Sequence, residues 1–234
     1  MATGKKILHV AIIPDRNRRW AKAKRLPSRK GHEAGYASFK EIFAHIWDFE
    51  VTHFTFWALS IDNLQKRKEG ELRFLTQLCK LGISELKVSP EFKSRNIRFK
   101  TIGRWKDFFP EFEPDIKELE ESSWTRTERT FTLALAYDGT EEDRAQKDAI
   151  RKNVPPAMPL TPEIENEYLW SGFLPDVDLC IRTGGEPHLS AGFLMHKMAN
   201  AYLAFPKVCW PDFSPRHLKK ITDEFRSRER RLGA

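Results

Sequence analysis

Short apolar runs alternate along this chain with longer amphipathic stretches, and no other feature limits the fold as strongly. The runs at 7–13, 52–59, 97–102, 131–137, 177–181 and 208–210 read as strands. Helical patterns occupy about 34–49, 68–88, 114–123, 141–152, 162–170, 192–204 and 214–230. Near-continuous apolar strands are buried on both faces, and strand–helix alternation builds a mostly parallel sheet covered by helices on either side. The expected fold is therefore α/β. No repeat, low-complexity tract or linker divides the chain, so residues 1–234 form one domain. The segment 154–159 is a proline-rich loop, and Thr161-Pro162-Glu163 opens the next helix with an N-cap and a proline at N1.

In such a sheet, ligands bind beyond the carboxyl ends of the strands. The first strand ends in Pro14-Asp15-Arg16-Asn17-Arg18-Arg19-Trp20. Three guanidiniums this close together repel one another unless a polyanion sits among them, and planar guanidiniums bind phosphate oxygens bidentately. The N-terminus of a following helix adds backbone N–H groups. Asp15 offers a hard oxygen ligand to magnesium, which favours one or two carboxylates plus substrate phosphates. A solvated basic turn is the plainer reading of the same residues. Other strand ends carry Ser60-Ile61-Asp62-Asn63, Tyr137-Asp138-Gly139 and Arg182-Thr183-Gly184-Gly185-Glu186. Hydroxyls, amides, glycines and arginines thus recur at one rim, a pattern suited to a diphosphate lined by several loops. Arg29-Lys30-Gly31-His32, before the helix at 34, can join them. At a helix start, His32 would tend to be neutral and could assist a leaving group, or could be purely structural. Ser60 and Asn63 read equally as an N-cap and a turn polar.

Net charge is +7, with basic residues interleaved among acids rather than run together. A small polyanionic ligand fits this better than a long nucleic-acid track, and no nucleic-acid recognition motif is present. The three cysteines, Cys79, Cys180 and Cys209, are distant, odd in number and without metal spacing, as in a reduced, cytoplasmic protein. The first apolar run is too short for a signal peptide, and nothing approaches the roughly 20 apolar residues of a membrane span. The 68–88 helix has a broad apolar face, read either as core or as one wall of a hydrocarbon tunnel. The glycine loop at 184–185 is followed by no Lys-Ser or Lys-Thr, which disfavours a P-loop.

The segment His9 to Lys22, with Gly31-His32-Glu33-Ala34-Gly35 and Ala58-Leu59-Ser60-Ile61-Asp62-Asn63, resembles three ordered signatures of the cis-prenyltransferases, the family of undecaprenyl diphosphate synthase. The segment Asp178 to Glu186 with Leu189, Ser190 and Phe193 resembles a fourth. Trp210-Pro211-Asp212-Phe213 and Arg228 to Gly233 resemble the C-terminal ones. The resemblance implies a homodimer of α/β subunits with two diphosphate sites beside an apolar tunnel. It implies condensation of an allylic prenyl diphosphate with a C5 prenyl diphosphate, isopentenyl or dimethylallyl, with Mg2+ and with membrane contact limited to the lipid product. By position, Asp15 matches the magnesium-binding aspartate at the allylic diphosphate, and Asn17, Arg19 and His32 match residues that hold or assist the leaving group. Arg16, Arg18 and Trp20 of the first loop, Arg29 of the separate segment that joins it and His188 on the acceptor side are expected to bind substrate as well. Asn63, with Ser60, matches a residue of proton removal. Arg182, Ser190, Arg231 and Gly233 match the acceptor diphosphate site, the last two from a tail crossing the dimer.

Departures from the family pattern concentrate on the acceptor half. Arg16 and Arg18 stand where at least one glycine is usual, His188 where a second arginine is usual, and Tyr202 where a glutamate completes the metal site. Head-to-tail cis elongation and an irregular, head-to-middle condensation with dimethylallyl diphosphate as acceptor are both open on these residues. A non-catalytic partner subunit is a third reading, opposed by Asp15, Asn17, Arg19 and His32.

Overall fold

The computed structural model describes residues 7–227. Six strands form one sheet in the order β3-β4-β2-β1-β5-β6, with β1 at His9–Ile13, β2 at His53–Leu59, β3 at Ile97–Ile102, β4 at Arg129–Leu135, β5 at Leu179–Arg182 and β6 at Tyr202–Ala204. Every pairing is parallel. All five residues of β1 are buried, as a strand covered on both faces requires. The helices are α1 (Asn17–Ala23), α2 (Ser28–His45), α3 (Ile61–Lys66), α4 (Glu69–Val88), α5 (Pro90–Ser94), α6 (Trp105–Phe108), α7 (Glu113–Ser122), α8 (Gly139–Asn153), α9 (Pro162–Glu167) and α10 (Pro215–Ser227). No helix among the described residues is long and apolar enough to cross a membrane.

The core has two layers divided by the sheet. On one side, Phe39 and Phe43 of α2 meet Phe54 and Phe56 of β2, Phe131 of β4 and Trp210. Phe39 and Phe56 approach to 4.7 Å between ring centres, in the tilted contacts that aromatic quadrupoles favour. On the other side, Trp57, Tyr137 and Phe193 pack together, with the Trp57 and Phe193 rings stacked at 4.8 Å. Buried Glu142 is satisfied by the Tyr137 hydroxyl and, at 2.6 Å, by the Ser171 backbone N–H.

One pair of expected elements is wrong. The segment 192–204 is not a helix, and 208–210 is not a strand. Gly192 and Leu194 take positive φ of 63° and 48°, which no helix admits. The chain turns there, and Tyr202–Ala204 supplies the sixth strand. The main-chain carbonyls of Pro206 and Val208 are taken by the Gly184 N–H at 2.9 and 2.8 Å, so this stretch straps one loop to another instead of pairing as a strand.

Candidate active site

At the carboxyl ends of β1, β2 and β5 lies a polar cavity of about 590 Å3. The loop after β1, the start of α3 and the segment 188–191 wall it, with His32 at its inner side. The β1 loop is held from below: the Asp15 N–H donates to Thr183 Oγ1 at 2.9 Å, and the Trp210 N–H donates to the Asp15 carbonyl at 3.0 Å. Asn17 starts α1, and α2 crosses against it at two glycines. A Cβ on Gly31 would lie 2.1 Å from the Asn17 carbonyl oxygen, and one on Gly35 2.1 Å from Asn17 Oδ1. The glycines of the second signature thus exist to let α2 press on the first.

Asp15 and Arg182, read from sequence as members of different subsites, touch. Arg182 Nη2 donates to Asp15 Oδ2 at 2.8 Å, while its Nη1 donates to Ser190 Oγ and to the His188 carbonyl, each at 2.8 Å. The Arg182 side chain is only 8% exposed against 36% for Asp15, so the pair presents its carboxylate to the cavity. Asp15 Oδ1 also accepts the Arg16 N–H at 2.6 Å.

Arg16 adopts φ 72°, a left-handed conformation that costs a non-glycine residue roughly 1–2 kcal/mol. Its side chain lies against Gly184, where an added Cβ would meet Arg16 Cδ at 2.5 Å. Its Nη2 reaches Glu186 Oε1 at 2.6 Å, and Arg19 Nη1 reaches the same oxygen at 3.0 Å. Hydrogen bonds from Arg19 and Arg16 and the charge of Arg16 hold the Glu186 carboxyl below its usual range. Two of the arginines read as anion donors therefore already share a carboxylate.

A second network enters from α4. His32 sits in the interior of α2, which starts at Ser28, and not at a helix N-terminus as its sequence position suggests. Burial lowers its pKa, partly countered by the hydrogen bond to Glu71. The neutral ring donates from Nε2 to Glu71 Oε1 at 3.0 Å. Arg67 donates to the same oxygen at 2.5 Å and, through Nε, to Asn63 Oδ1 at 2.8 Å. Burial pushes the Glu71 carboxyl up, but the hydrogen bond from His32 and the charges of Arg67 and Arg18 outweigh it and hold it low. Ser60 caps α3 by accepting the Asn63 N–H at 3.0 Å, and its Oγ is also bonded by the Asn63 amide. Arg67 and Glu71 escaped the sequence reading; although Asn63, Arg67 and Glu71 recur at intervals of four, they meet across a break, since α3 ends at Lys66, Arg67 is extended and α4 starts at Glu69.

Asp15, Arg16, Asn17, Arg18, Arg19, His32, Ser60, Asn63, Arg182, His188 and Ser190 all line the polar cavity; Trp20 and Arg29 do not line it. Lys24 Nζ lies 4.2 Å over the Trp20 ring, and Arg29 is exposed on the first turn of α2. Tyr202 is remote from the acceptor segment within its own subunit. It pairs with Leu179 at the far end of the sheet, and its hydroxyl donates to Glu224 at 2.7 Å. Arg231 and Gly233 lie outside the described residues.

Beside the polar cavity lies a smaller apolar chamber of about 110 Å3, lined in part by Phe39, Phe56, Leu78, Ile83 and Leu133. Pro14, Asn17, His32, Ala58, Leu59 and Leu75 border both spaces.

Residues 13–233 match the family model described as putative undecaprenyl diphosphate synthase. The chain belongs to the cis-prenyltransferase family. This prenyltransferase is 32% identical to a tritrans,polycis-undecaprenyl-diphosphate synthase of Sulfolobus acidocaldarius, over 97% of this chain and 87% of that protein. It is 34% identical to an isoprenyl transferase of Helicobacter pylori, over 96% of each. Among solved structures, it superposes on lavandulyl diphosphate synthase from Lavandula x intermedia, in complex with dimethylallyl diphosphate, with a TM-score of 0.86 at 28% identity, over 98% of this chain and 99% of that one.

Proposed function

We propose that this prenyltransferase joins an allylic prenyl diphosphate to a C5 prenyl diphosphate and releases diphosphate. The observation that carries the reading is the adjacency of the two spaces, which share walls at Pro14, Asn17, His32, Ala58, Leu59 and Leu75: a basic cleft suited to diphosphates beside an apolar chamber suited to hydrocarbon. The allylic C1–O bond breaks and its electron pair leaves with the diphosphate. The double bond of the C5 acceptor then attacks C1, and the new cation loses a proton. Arg18, Arg19 and the N-terminal N–H groups of α1 face the departing charge, which fixed dipoles stabilise best where water is excluded. The walls of Leu59, Leu75 and Phe39 keep water from the cation. Arg182 and Ser190 hold the acceptor diphosphate. Asn63 orients the acceptor beside Ser60. Its amide is no base near neutral pH and its Oδ1 already accepts from Arg67, so the proton goes to the departing diphosphate.

Magnesium fits this cleft only with the substrate present. No group of three or more potential ligands occurs among the described residues. Asp15 is a half-exposed carboxylate whose oxygens each retain a lone pair beyond their hydrogen bonds, and magnesium is commonly held by one carboxylate plus phosphate oxygens. Bound there, the ion would neutralise charge on the leaving diphosphate.

A head-to-middle condensation with dimethylallyl diphosphate as acceptor is the finer reading. It is supported by the likeness to lavandulyl diphosphate synthase and by the departures from the family pattern at Arg16, Arg18, His188 and Tyr202. The homodimer implied by the family pattern enters this reading through Arg231 and Gly233. The purified protein, given allylic diphosphates of graded length with isopentenyl or dimethylallyl diphosphate, is assayed for diphosphate release, and the product is identified by mass and NMR. Product from dimethylallyl diphosphate alone supports irregular joining; an absolute need for isopentenyl diphosphate supports cis elongation. No condensation with any pair would overturn the proposal.

A further inference from the structure

Behind the acceptor side of the polar cavity stands the first turn of α8. Leu189, Ser190 and Ala191 line the cavity, whereas Asp138 and Gly139 do not. The Gly139 N–H donates to the Ala191 carbonyl at 2.9 Å, which gives a partner to one of the orphan donors of a helix start. Asp138 caps the same turn, its Oδ1 accepting the Thr140 N–H at 3.0 Å and the Thr140 hydroxyl at 2.7 Å. The two backbones approach so closely that a Cβ on Gly139 would lie 1.8 Å from the Gly192 carbonyl oxygen. Glycine at this position answers to the distance from Gly192, since its own φ is not positive.

The segment seated on this turn is anchored at its far end. Ala191, Gly192 and Leu194 take φ of 48°, 63° and 48°, and non-glycine residues persist in that region only where their surroundings over-determine them. Phe193 and Leu194 are fully buried. The Phe193 ring stacks on Trp57 at 4.8 Å and stands edge-on to Tyr137 at 5.9 Å. Tyr137 is fixed in turn by the bond from its hydroxyl to Glu142, which belongs to α8. The end left to move is 188–191, where Ser190 Oγ and the His188 carbonyl each receive Arg182 Nη1 at 2.8 Å. Arg182 is thus held from two sides, by Asp15 at Nη2 and by a loop resting on α8 at Nη1.

We propose that Asp138 and Gly139 are positioning residues for the acceptor diphosphate: the first turn of α8 seats the strained segment 190–194 and so sets where Ser190 and Arg182 Nη1 stand. This deepens the function proposed above and rests on it. Gly139→Ala has to displace the segment by about 1 Å, enough to break hydrogen bonds of 2.8 Å. Steady-state kinetics of the whole protein, each substrate varied against a saturating partner, reads the effect. The acceptor is the C5 diphosphate whose double bond the product shows to have been attacked. Its KM should rise about tenfold or more, as for a lost charge-assisted hydrogen bond, with the allylic KM within about twofold of wild type. In a Ser190→Ala background the same substitution should raise it about threefold or less, because a group it misplaces is already gone. If thermal unfolding shows that Gly139→Ala does not fold, Asp138→Ala serves: it loosens the turn and should raise the acceptor KM about threefold, and Asp138→Asn, which retains the cap, should restore it. Equal rises in both KM values, a fall in kcat alone, or an undiminished effect without Ser190 would make α8 a support of the fold and overturn the proposal. An Asp138→Asn variant as impaired as Asp138→Ala would overturn it too, by assigning the effect to charge instead of placement. A wild type that condenses no pair of substrates overturns the reaction, and this proposal with it.

Discussion

Replacing Asp15 by asparagine separates catalysis from stability. The carboxylate receives Arg182 at 2.8 Å and the Arg16 N–H at 2.6 Å. Breaking a fully buried ion pair costs about 3–5 kcal/mol. Here the Asp15 side chain is 36% exposed, and Arg182 keeps Ser190 and the His188 carbonyl. Asparagine also retains one oxygen acceptor. The structural loss is therefore about 1–2 kcal/mol after discounting for solvent, which lowers Tm by about 2–8 °C in a chain of this size. The catalytic loss should be far larger, about 100- to 1,000-fold, as for removal of a main electrostatic group. Diphosphate release at 25 °C with saturating magnesium and both substrates reads the rate, and thermal unfolding reads the fold. A rate within about tenfold of wild type would refute the role assigned to this carboxylate. Arg182→Ala closes a double-mutant cycle with Asp15→Ala. Because the two side chains touch, the losses should fall short of additive, by about 1 kcal/mol or more in transition-state terms.

Two further outcomes follow from the charge networks. Glu71→Gln removes the carboxylate that partly sustains the His32 pKa, so the imidazole falls further below its usual 6.5. Above that value both folded and unfolded histidines are neutral; below it the unfolded chain takes the proton first, and stability falls with pH. Tm profiles from pH 7.5 to 5 should diverge at the acid end, steeper in the variant, and parallel profiles would contradict the coupling. Glu186→Ala frees Arg16 and Arg19 from their shared carboxylate. Inorganic diphosphate should then bind up to about tenfold more tightly at low salt, with the gain shrinking as salt rises; weaker binding would show that Glu186 positions the arginines instead of competing for them.

The rim of the sheet was legible because strands 7–13, 52–59 and 97–102 are short, rich in apolar and β-branched residues and separated by polar stretches, and because parallel sheets bind ligands at one end. The misreading at 192–204 came from side chains that are buried without helical period: Phe193 and Leu194 are adjacent and both fully buried. Three apolar strand residues at 202–204 carry too little pattern to be told from a helix end. The His32 error had the same origin as the late start expected for α2, at 34 instead of Ser28. Glycines at 31 and 35 look like a helix boundary, whereas they are crossing points pressed against Asn17. Glu186 as the partner of Arg16, and Glu71 as the partner of His32, were invisible because these contacts span 170 and 39 residues, and no local spacing encodes such distances.

The strand order carries a lesson for anyone reshaping this protein. The three loops around Asp15, Ser60 and Arg182 leave from β1, β2 and β5, adjacent strands that are each flanked on both sides. The rims of the sheet are β3 and the three-residue β6. Local opening begins where neighbours are fewest, so fraying at either rim should spend itself before it reaches the reaction chamber. Insertions, fused tags and cleavage sites are best borne along β3, while the same changes two strands inward, in β2, would be felt at once by the chemistry.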